Sequence, residues 1–355
     1  MIQAFTKEIK IGKRFIGENH PCYIIAEIGA NFDCSLEKAK LLVEKAKECG
    51  ADSVKFQSFI SEKIVSKKGF ASMILKGVHA TWDKPIDEVF KEAEFPRDWH
   101  YKMKEFCDEI EIDFSTSPYD YEAVDLCEEL NLPYIKIGSG EITWLEALDY
   151  IARKNKPIFL STGDATLAEI DEAVRTIEAT GNKDLVLLQC ITNYPSKVQS
   201  ANINVLKTYR SAFDILVGYS DHSPGIVVPL GAVALGACVI EKHFTLNKFD
   251  KGPDHPHSME PKEFKDMVKA IRELESAMGS TRKFVVDEEG ETVIVQRRSL
   301  YARRSIEKDH RLELDDIIEL RPQLGILPKY KRSILGMRVN RRIEEGEPIK
   351  WEDLK

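Results

Sequence analysis

Eight short runs of β-branched and other apolar residues, spaced between helical patterns, limit most strongly what this chain can fold into. They are Tyr23–Ile28, Ser53–Gln57, Asp113–Ser115, Tyr134–Ile137, Ile158–Ser161, Leu185–Gln189, Ile215–Tyr219 and Val239–His243. Amphipathic stretches at Leu36–Cys49, Trp99–Ile110, Tyr121–Leu130 and Leu167–Thr180 fall between them, and Pro261–Met278 reads as a closing helix. Several runs are apolar almost throughout, as strands buried on both faces of a parallel sheet must be. Eight βα units in about 280 residues predict an α/β fold, a (β/α)8 TIM barrel, over an open doubly wound sheet. No G-x-G-x-x-G follows a strand and no P-loop is present, so nothing points to a dinucleotide or nucleotide site.

The barrel pattern covers residues 1–280. Residues 281–298 read as a linker with a charged turn at Asp287–Gly290, and 299–355 as a small β-rich module. In that module Glu307-Lys308-Asp309 and Glu344-Glu345-Gly346-Glu347 each precede a similar acidic phrase, an internal pseudo-repeat. About 57 residues bury too little surface for a large core, so such a module is expected to lean on a barrel.

Charge and cysteine usage narrow the classes further. The net charge of −8 argues against nucleic acid as the partner. From Arg297 to Lys355 there are 15 Lys plus Arg against 11 Asp plus Glu, a balance of +4 that leaves −12 on the rest. A basic tail on an acidic body suits docking on a second copy, holding an anionic substrate, or an ordinary solvated surface. Seven cysteines lie scattered with no CxxC pair and read as reduced core thiols. With no signal-peptide core and no long apolar run, the expected location is cytoplasmic, away from any membrane.

A barrel carries its site at the C-terminal ends of its strands. Those ends read Ala26-Glu27-Ile28-Gly29, Lys55-Phe56-Gln57, Ser115-Thr116-Ser117, Lys136-Ile137-Gly138-Ser139-Gly140-Glu141, Ser161-Thr162-Gly163, Thr192-Asn193-Tyr194, Ser220-Asp221-His222 and Glu241-Lys242-His243. Hydroxyls beside glycines, with lysines for counter-charge, suit a phosphate. His222 and His243 sit on neighbouring strand ends, each beside an acid, where two imidazoles can meet at one divalent metal. Cys190 reads as packing, with a third ligand or a nucleophile as the other roles. His255 and His257 fall in the loop after the last strand and read either as ligands or as part of a lid carrying one functional acid, Asp254. Tyr194 is a rigid loop aromatic or a substrate contact.

On these residues the chain resembles the sialic acid synthase family, bacterial enzymes that make nine-carbon nonulosonic acids. AEIGAN, VKFQ, KIGSGE, LSTG, GYSDHS, EKHFT and GPDH occur in order at the strand ends, and the tail from Ser299 is similar to the antifreeze-like SAF domain. The resemblance implies condensation of phosphoenolpyruvate with the open-chain aldehyde of an N-acetylated hexosamine. N-acetylmannosamine, giving N-acetylneuraminate, is the leading acceptor; 6-deoxy diacetamido sugars, giving legionaminate or pseudaminate, are the alternative. It implies Mn2+ or Mg2+ on His222 and His243. Lys55, Thr116, Lys136, Ser139, Ser161, Thr192 and Ser220 would bind phosphoenolpyruvate. Glu27, Gln57, Glu141, Tyr194 and Asp254 would face the sugar, with Glu27 also orienting water or relaying a proton. Arg321 would come from the partner in a domain-swapped homodimer. The chain departs from the family at Phe32-Asp33, where many members have His, at Thr192, where some carry Asn, and at Gln323, where Gly is usual. The first departure bears on the sugar pocket, the last on docking of the tail.

Two other readings start from the same residues. Lys55 or Lys136 in an apolar barrel mouth could serve a Schiff-base aldolase. A barrel that has lost catalysis could serve as a sugar-binding module.

Overall fold

The computed structural model describes residues 4–74, 80 and 82–355. The chain divides at Gly279–Ser280 into two compact units.

In the first unit a hairpin, β1 (Glu8–Ile11) and β2 (Arg14–Gly17), precedes eight parallel strands. These are β3 (Tyr23–Glu27), β4 (Ser53–Ser58), β5 (Asp113–Pro118), β6 (Ile135–Ile137), β7 (Ile158–Ser161), β8 (Leu185–Cys190), β9 (Leu216–Asp221) and β10 (Ala237–His243). They hydrogen-bond in the order β5-β4-β3-β10-β9-β8-β7-β6. The two ends of that series meet: Ser115 Oγ on β5 donates to the Tyr134 carbonyl beside β6 at 2.8 Å. The sheet is therefore a barrel, as the alternating pattern predicts, with helices packed around it.

Side chains alternate across each strand, so every second residue points into the barrel. The lower interior is apolar. Tyr23, Tyr134 and Phe159 are fully buried there with Ile25, Val186, Leu188 and Val239, and the Tyr134 and Phe159 rings stack at 4.4 Å. Ile9, Ile11 and Ile16 of the hairpin belong to the same cluster and close the barrel floor. Burying one such side chain contributes about 1.5–3 kcal/mol. Above this plug the inward positions turn polar, because the next inward residues on each strand are the ones at its C-terminal end. Odd and even residues thus have separate destinies: Ile24, Ala26, Val54 and Phe56 join the layer between barrel and helices.

The outer helices follow local rules. The helix Leu36–Glu48 is capped by Ser35, whose side chain accepts from the Lys38 N–H, and the helix Leu167–Ala179 by a Thr166–Glu169 capping box.

In the second unit β11 (Ser299–Ala302) pairs antiparallel with β12 (Ile317–Leu320) over a core that includes Leu300, Ile306, Ile326 and Val339. The pseudo-repeat has a physical basis. Asp316 and Asp353 are both buried; each caps its own turn through the backbone N–H of Glu313 at 2.8 Å and of Lys350 at 2.9 Å. Each also takes an arginine Nε, from Arg304 at 2.8 Å and from Arg341 at 2.6 Å. The stretch read as a linker contains a helix, Gly290–Gln296. Among the described residues all seven cysteines are free; six are buried, but Cys34 is exposed and so is no core thiol. No described helix is long and apolar enough to cross a membrane.

Candidate active site

Strand alternation delivers Glu27, Lys55, Lys136, Ser161, Ser220, Glu241 and His243 to one cavity at the C-terminal mouth of the barrel. At its base lies a buried charge network. Lys55 Nζ is 2.6 Å from Glu27 Oε2 and 3.9 Å from Glu241 Oε2, while Lys136 Nζ is 3.5 Å from Glu241 Oε1. Gln57 Nε2 donates to Glu27 Oε1 at 2.8 Å, Ser220 Oγ to Glu241 Oε1 at 3.0 Å, and Lys55 Nζ to Ser117 Oγ at 3.1 Å. None of the four charged side chains is more than 5% exposed. Burial raises the Glu27 carboxyl above its ordinary value, against the pull of Lys55. Burial acts on Glu241 in the same direction, but the Lys136 and Lys55 ammonium groups outweigh it and hold that carboxyl below its ordinary value. Burial opposes charge on Lys55 too, yet Glu241 and Glu27 raise its pKa, so this lysine stays an ammonium.

Beside the network stand hydroxyls without protein partners. Ser161 Oγ and Thr192 Oγ1 are buried and unsatisfied, a state that costs about 1–3 kcal/mol unless a ligand supplies the bond. Gly163 donates its N–H to Ser139 Oγ at 3.0 Å. A Cβ on Gly163 would collide with the side chains of Thr192 and Ser139, so only glycine lets these hydroxyls converge.

The imidazoles cluster at the same mouth. His222 and His243 lie with ring centroids 5.4 Å apart, His243 and His257 4.7 Å, and Tyr194 packs on His222 at 4.2 Å and on His257 at 5.0 Å. His222 Nδ1 meets the Ile191 carbonyl at 2.9 Å; a carbonyl only accepts, so that nitrogen carries a proton. Ligand atoms of His243, Asp254 and His257 all lie within 4.8 Å of one another. His243 Nδ1 and His257 Nε2 are buried with no hydrogen-bond partner. Burial, with the neighbouring His257 and His222, pushes the His243 pKa well below its ordinary value; burial takes His257 to about 4. Both are thus held neutral, the form that binds metal. Asp254 is fixed from the first strand's loop: the Ala30 N–H donates to its Oδ2 at 2.8 Å. Gly29, at φ 53°, sits where any Cβ would strike that same oxygen.

Thirteen of the fourteen barrel residues expected at the site line this cavity: Glu27, Lys55, Gln57, Lys136, Ser139, Glu141, Ser161, Thr192, Tyr194, Ser220, His222, His243 and Asp254. Thr116 does not. It pairs with Phe56 in the strand register and faces the helix layer, whereas Ser117, one residue on, lines the cavity. The Phe32 departure is also not in the pocket: Phe32 is buried against Phe95 at 5.1 Å and Trp99 at 6.2 Å. Arg321 belongs to the second unit, where it is exposed. Cys190 is more than packing, since it lines the cavity with Sγ 3.8 Å from His222 Nδ1.

Sequence reasoning passed over Glu241 and left His257 undecided. The signal for Glu241 was its spacing of two from His243, which puts both on one strand face, while Lys242 between them turns outward to Asp221 at 2.5 Å. His257 and His255 separate cleanly. His257 reaches the cavity, but His255 is fully buried and tied to Thr245 Oγ1 at 2.6 Å and Asp33 Oδ1 at 2.9 Å.

The chain matches the model of the NeuB family over residues 42–283 and that of the SAF domain over residues 297–355. It is 38% identical to the N,N'-diacetyllegionaminic acid synthase of Legionella pneumophila, over 96% of both chains. It is 34% identical to the pseudaminic acid synthase of Helicobacter pylori, over 94% of this chain and 98% of that one. Its structure is similar to that of the N-acetylneuraminic acid synthetase of Leptospira borgpetersenii solved with citrate, with a TM-score of 0.72, 30% identity and coverage of 82% and 96%. The chain belongs to the NeuB family and is a condensing transferase of the acid-synthase kind.

Proposed function

We propose that the enzyme condenses phosphoenolpyruvate with the open-chain aldehyde of an N-acetylated hexosamine, giving a nonulosonic acid and phosphate. The observation that carries this reading is that Lys55, Lys136 and the unsatisfied hydroxyls of Ser161 and Thr192 line one cavity with the imidazole cluster. A small multivalent anion satisfies the first group, and a polarised carbonyl oxygen suits the second.

In this reading the two ammonium groups and the hydroxyls of Ser139, Ser161, Thr192 and Ser220 hold the carboxylate and phosphate of phosphoenolpyruvate. Its C3 attacks the aldehyde carbon: the enol π electrons form the new C–C bond and the aldehyde oxygen takes the displaced pair and a proton. Water adds at C2, losing a proton for which Glu27 is the acceptor, and collapse of the adduct breaks the C2–O bond and releases phosphate. Glu27 is suited to this because burial raises its proton affinity. The residues fit a divalent cation, Mn2+ or Mg2+, since His243 Nδ1 and His257 Nε2 are otherwise unpaired. His222 and His243 would hold it, with Asp254 and His257 within reach of the same point. A bound cation supplies Lewis-acid stabilisation of negative charge on the aldehyde oxygen. Glu141, Tyr194, Gln57 and Asp254 face the acceptor. Arg321 would reach the acceptor from the partner of a homodimer, so Arg321→Ala should raise the KM for sugar more than that for phosphoenolpyruvate. A cytoplasmic location fits substrates made inside the cell.

N-acetylmannosamine and 6-deoxy diacetamido sugars share the reacting aldehyde and its N-acyl neighbour, so this chemistry is common to both. The test is phosphate release from phosphoenolpyruvate with Mn2+, with and without each sugar, and with EDTA in parallel. Release that needs both sugar and metal supports the reading; metal-independent release sinks the imidazole assignment. Borohydride trapping with pyruvate should give no adduct, because Lys55 is held as its non-nucleophilic ammonium. Sugar binding without phosphate release would return the non-catalytic reading.

A further inference from the structure

His222 and His243 reach the cavity by different routes. His243 lies inside the ladder between β10 and β3, where it pairs with Glu27. The ladder between β10 and β9 stops one step earlier, at Lys242 opposite Asp221. His222 is therefore the first residue past the last rung, and strand pairing alone does not set its position.

Side chains complete what the ladder leaves open. On the inward face Ser220 Oγ donates to Glu241 Oε1 at 3.0 Å. On the outward face Lys242 Nζ donates to Asp221 Oδ2 at 2.5 Å. The same ammonium reaches along the chain to the carbonyl of Ser223 and, at 3.3 Å, to that of Gly225. Asp221 Oδ1 in turn accepts from the Ser223 N–H at 2.9 Å. An ammonium has three donors, and here all three point at the segment that carries His222. From the other side, the Ser196 N–H donates to the His222 carbonyl at 2.9 Å.

A charged pair is an unexpected tenant of this layer. Ile240 and Phe244, two residues before and after Lys242, belong to the apolar shell between barrel and helices. Lys242 and Asp221 are themselves only 2% and 1% exposed. Desolvation consumes much of what two buried charges gain from each other, so apolar side chains would join the strands as well. Apolar side chains could not bind the carbonyls of Ser223 and Gly225. What the charged pair adds is a grip on the turn around His222.

We propose that Lys242 and Asp221 are positioning residues: buried behind the cavity, they fix the β9 turn so that the His222 imidazole is held beside His243. The inference rests on the reading of His222 as a cation ligand and names what orients it. Partners that orient a ligand from behind are worth roughly 10- to 100-fold in metal affinity or activity.

Lys242→Met alone would strand the Asp221 carboxylate, so the test combines it with Asp221→Asn in the full-length enzyme. The double variant removes both charges, keeps an oxygen for the Ser223 N–H, and should melt close to the wild type. In the metal-free protein with 15N-labelled histidine, the His222 Nδ1 proton is bonded to the Ile191 carbonyl and reports the ring's placement. It is assigned by its loss in His222→Gln, and it should exchange with solvent at least about tenfold faster in the double variant. Mn2+ binding to the metal-free protein, by calorimetry, should weaken by roughly 10- to 100-fold and kcat fall on the same scale. The KM for phosphoenolpyruvate should stay within about threefold, because Lys55, Lys136 and Ser161 are untouched. Wild-type exchange of the His222 proton in the double variant would overturn the proposal, whatever happens to its melting temperature. A wild type that binds no Mn2+ would instead overturn the cation reading, and the proton exchange would still decide whether the pair places His222.

Discussion

Lys136 Nζ lies 3.5 Å from Glu241 Oε1, and the other oxygen of that carboxylate is 3.9 Å from Lys55 Nζ. Glu241 therefore supplies counter-charge to Lys136 and shares Lys55 with Glu27 before any anion arrives, and its job is distinct from that of the lysines. Glu241→Gln leaves a buried lysine uncompensated, which should cost about 3–5 kcal/mol of stability. Lys136→Met should cost less stability but raise the KM for phosphoenolpyruvate by more than about tenfold, because it removes a charge-assisted contact to the anion. The double variant should recover much of the stability lost in Glu241→Gln without recovering that KM. Urea unfolding and steady-state kinetics on the three variants check this; additive stability losses would show that the pair is not coupled.

Strand register makes a sharp distinction between two adjacent hydroxyls. Ser117 lines the cavity and accepts from Lys55 at 3.1 Å, while Thr116 is fully buried on the opposite face with Oγ1 unsatisfied. Thr116→Val replaces a stranded hydroxyl by a methyl, so the variant should be at least as stable and turn over within about twofold of wild type. Ser117→Ala should raise the KM for phosphoenolpyruvate several-fold. The reverse ranking would mean that β5 is in the other register.

The same pair shows what could be read from the sequence. Strand ends were legible because parallel strands buried on both faces leave apolar runs that stop where the site begins, as at Ile135-Lys136 and Leu160-Ser161. Which residue of a polar triplet faces inward was not, because Ser115-Thr116-Ser117 has no apolar alternation to set the phase. The roof of the site was hidden for another reason. His255 and His257 are two residues apart in one loop with similar neighbours, and only their tertiary partners, Asp33 and Thr245 for one and the cavity for the other, separate a fastener from a ligand. The hairpin floor was visible in the spacing of Ile9, Ile11 and Ile16, but nothing local says that it folds under a barrel.

One buried histidine outside the site should set the acid limb of stability. His100 is fully buried among Phe95, at 4.9 Å, and Phe114, at 6.3 Å, and burial lowers its pKa from 6.5 to about 4. The folded state thus prefers the neutral ring, while the unfolded chain takes up a proton near 6.5. Stability from this group is complete above pH 6.5 and is lost as the pH falls toward 4. Between pH 7.5 and pH 5 the wild type should lose about 2 kcal/mol more than His100→Gln, which does not titrate. Urea midpoints at the two pH values measure the difference, and parallel losses in both proteins would show that His100 protonates as easily folded as unfolded.

The loop that brings Asp254 and His257 into the cavity is fastened from outside it. His255, between them in the chain, joins Thr245 at 2.6 Å and Asp33 at 2.9 Å, and Lys38 binds both Asp33 and, at 2.8 Å, Asp250. The two acids and the histidine could be mistaken for a second metal cluster, but the Lys38 ammonium already supplies their counter-charge. Asp33→Ala therefore leaves the phosphoenolpyruvate end intact while freeing the segment that carries two cavity groups. Its expected signature is a kcat lower by roughly 10- to 100-fold, the scale on which mispositioning by about an ångström acts, together with weaker Mn2+ binding by calorimetry and an unchanged KM for phosphoenolpyruvate. Asp33→Asn keeps an oxygen for His255 and should restore most of the Mn2+ affinity. If Asp33→Ala instead lowers thermal stability and leaves both kcat and Mn2+ affinity near wild type, the fastening serves the fold and not the site.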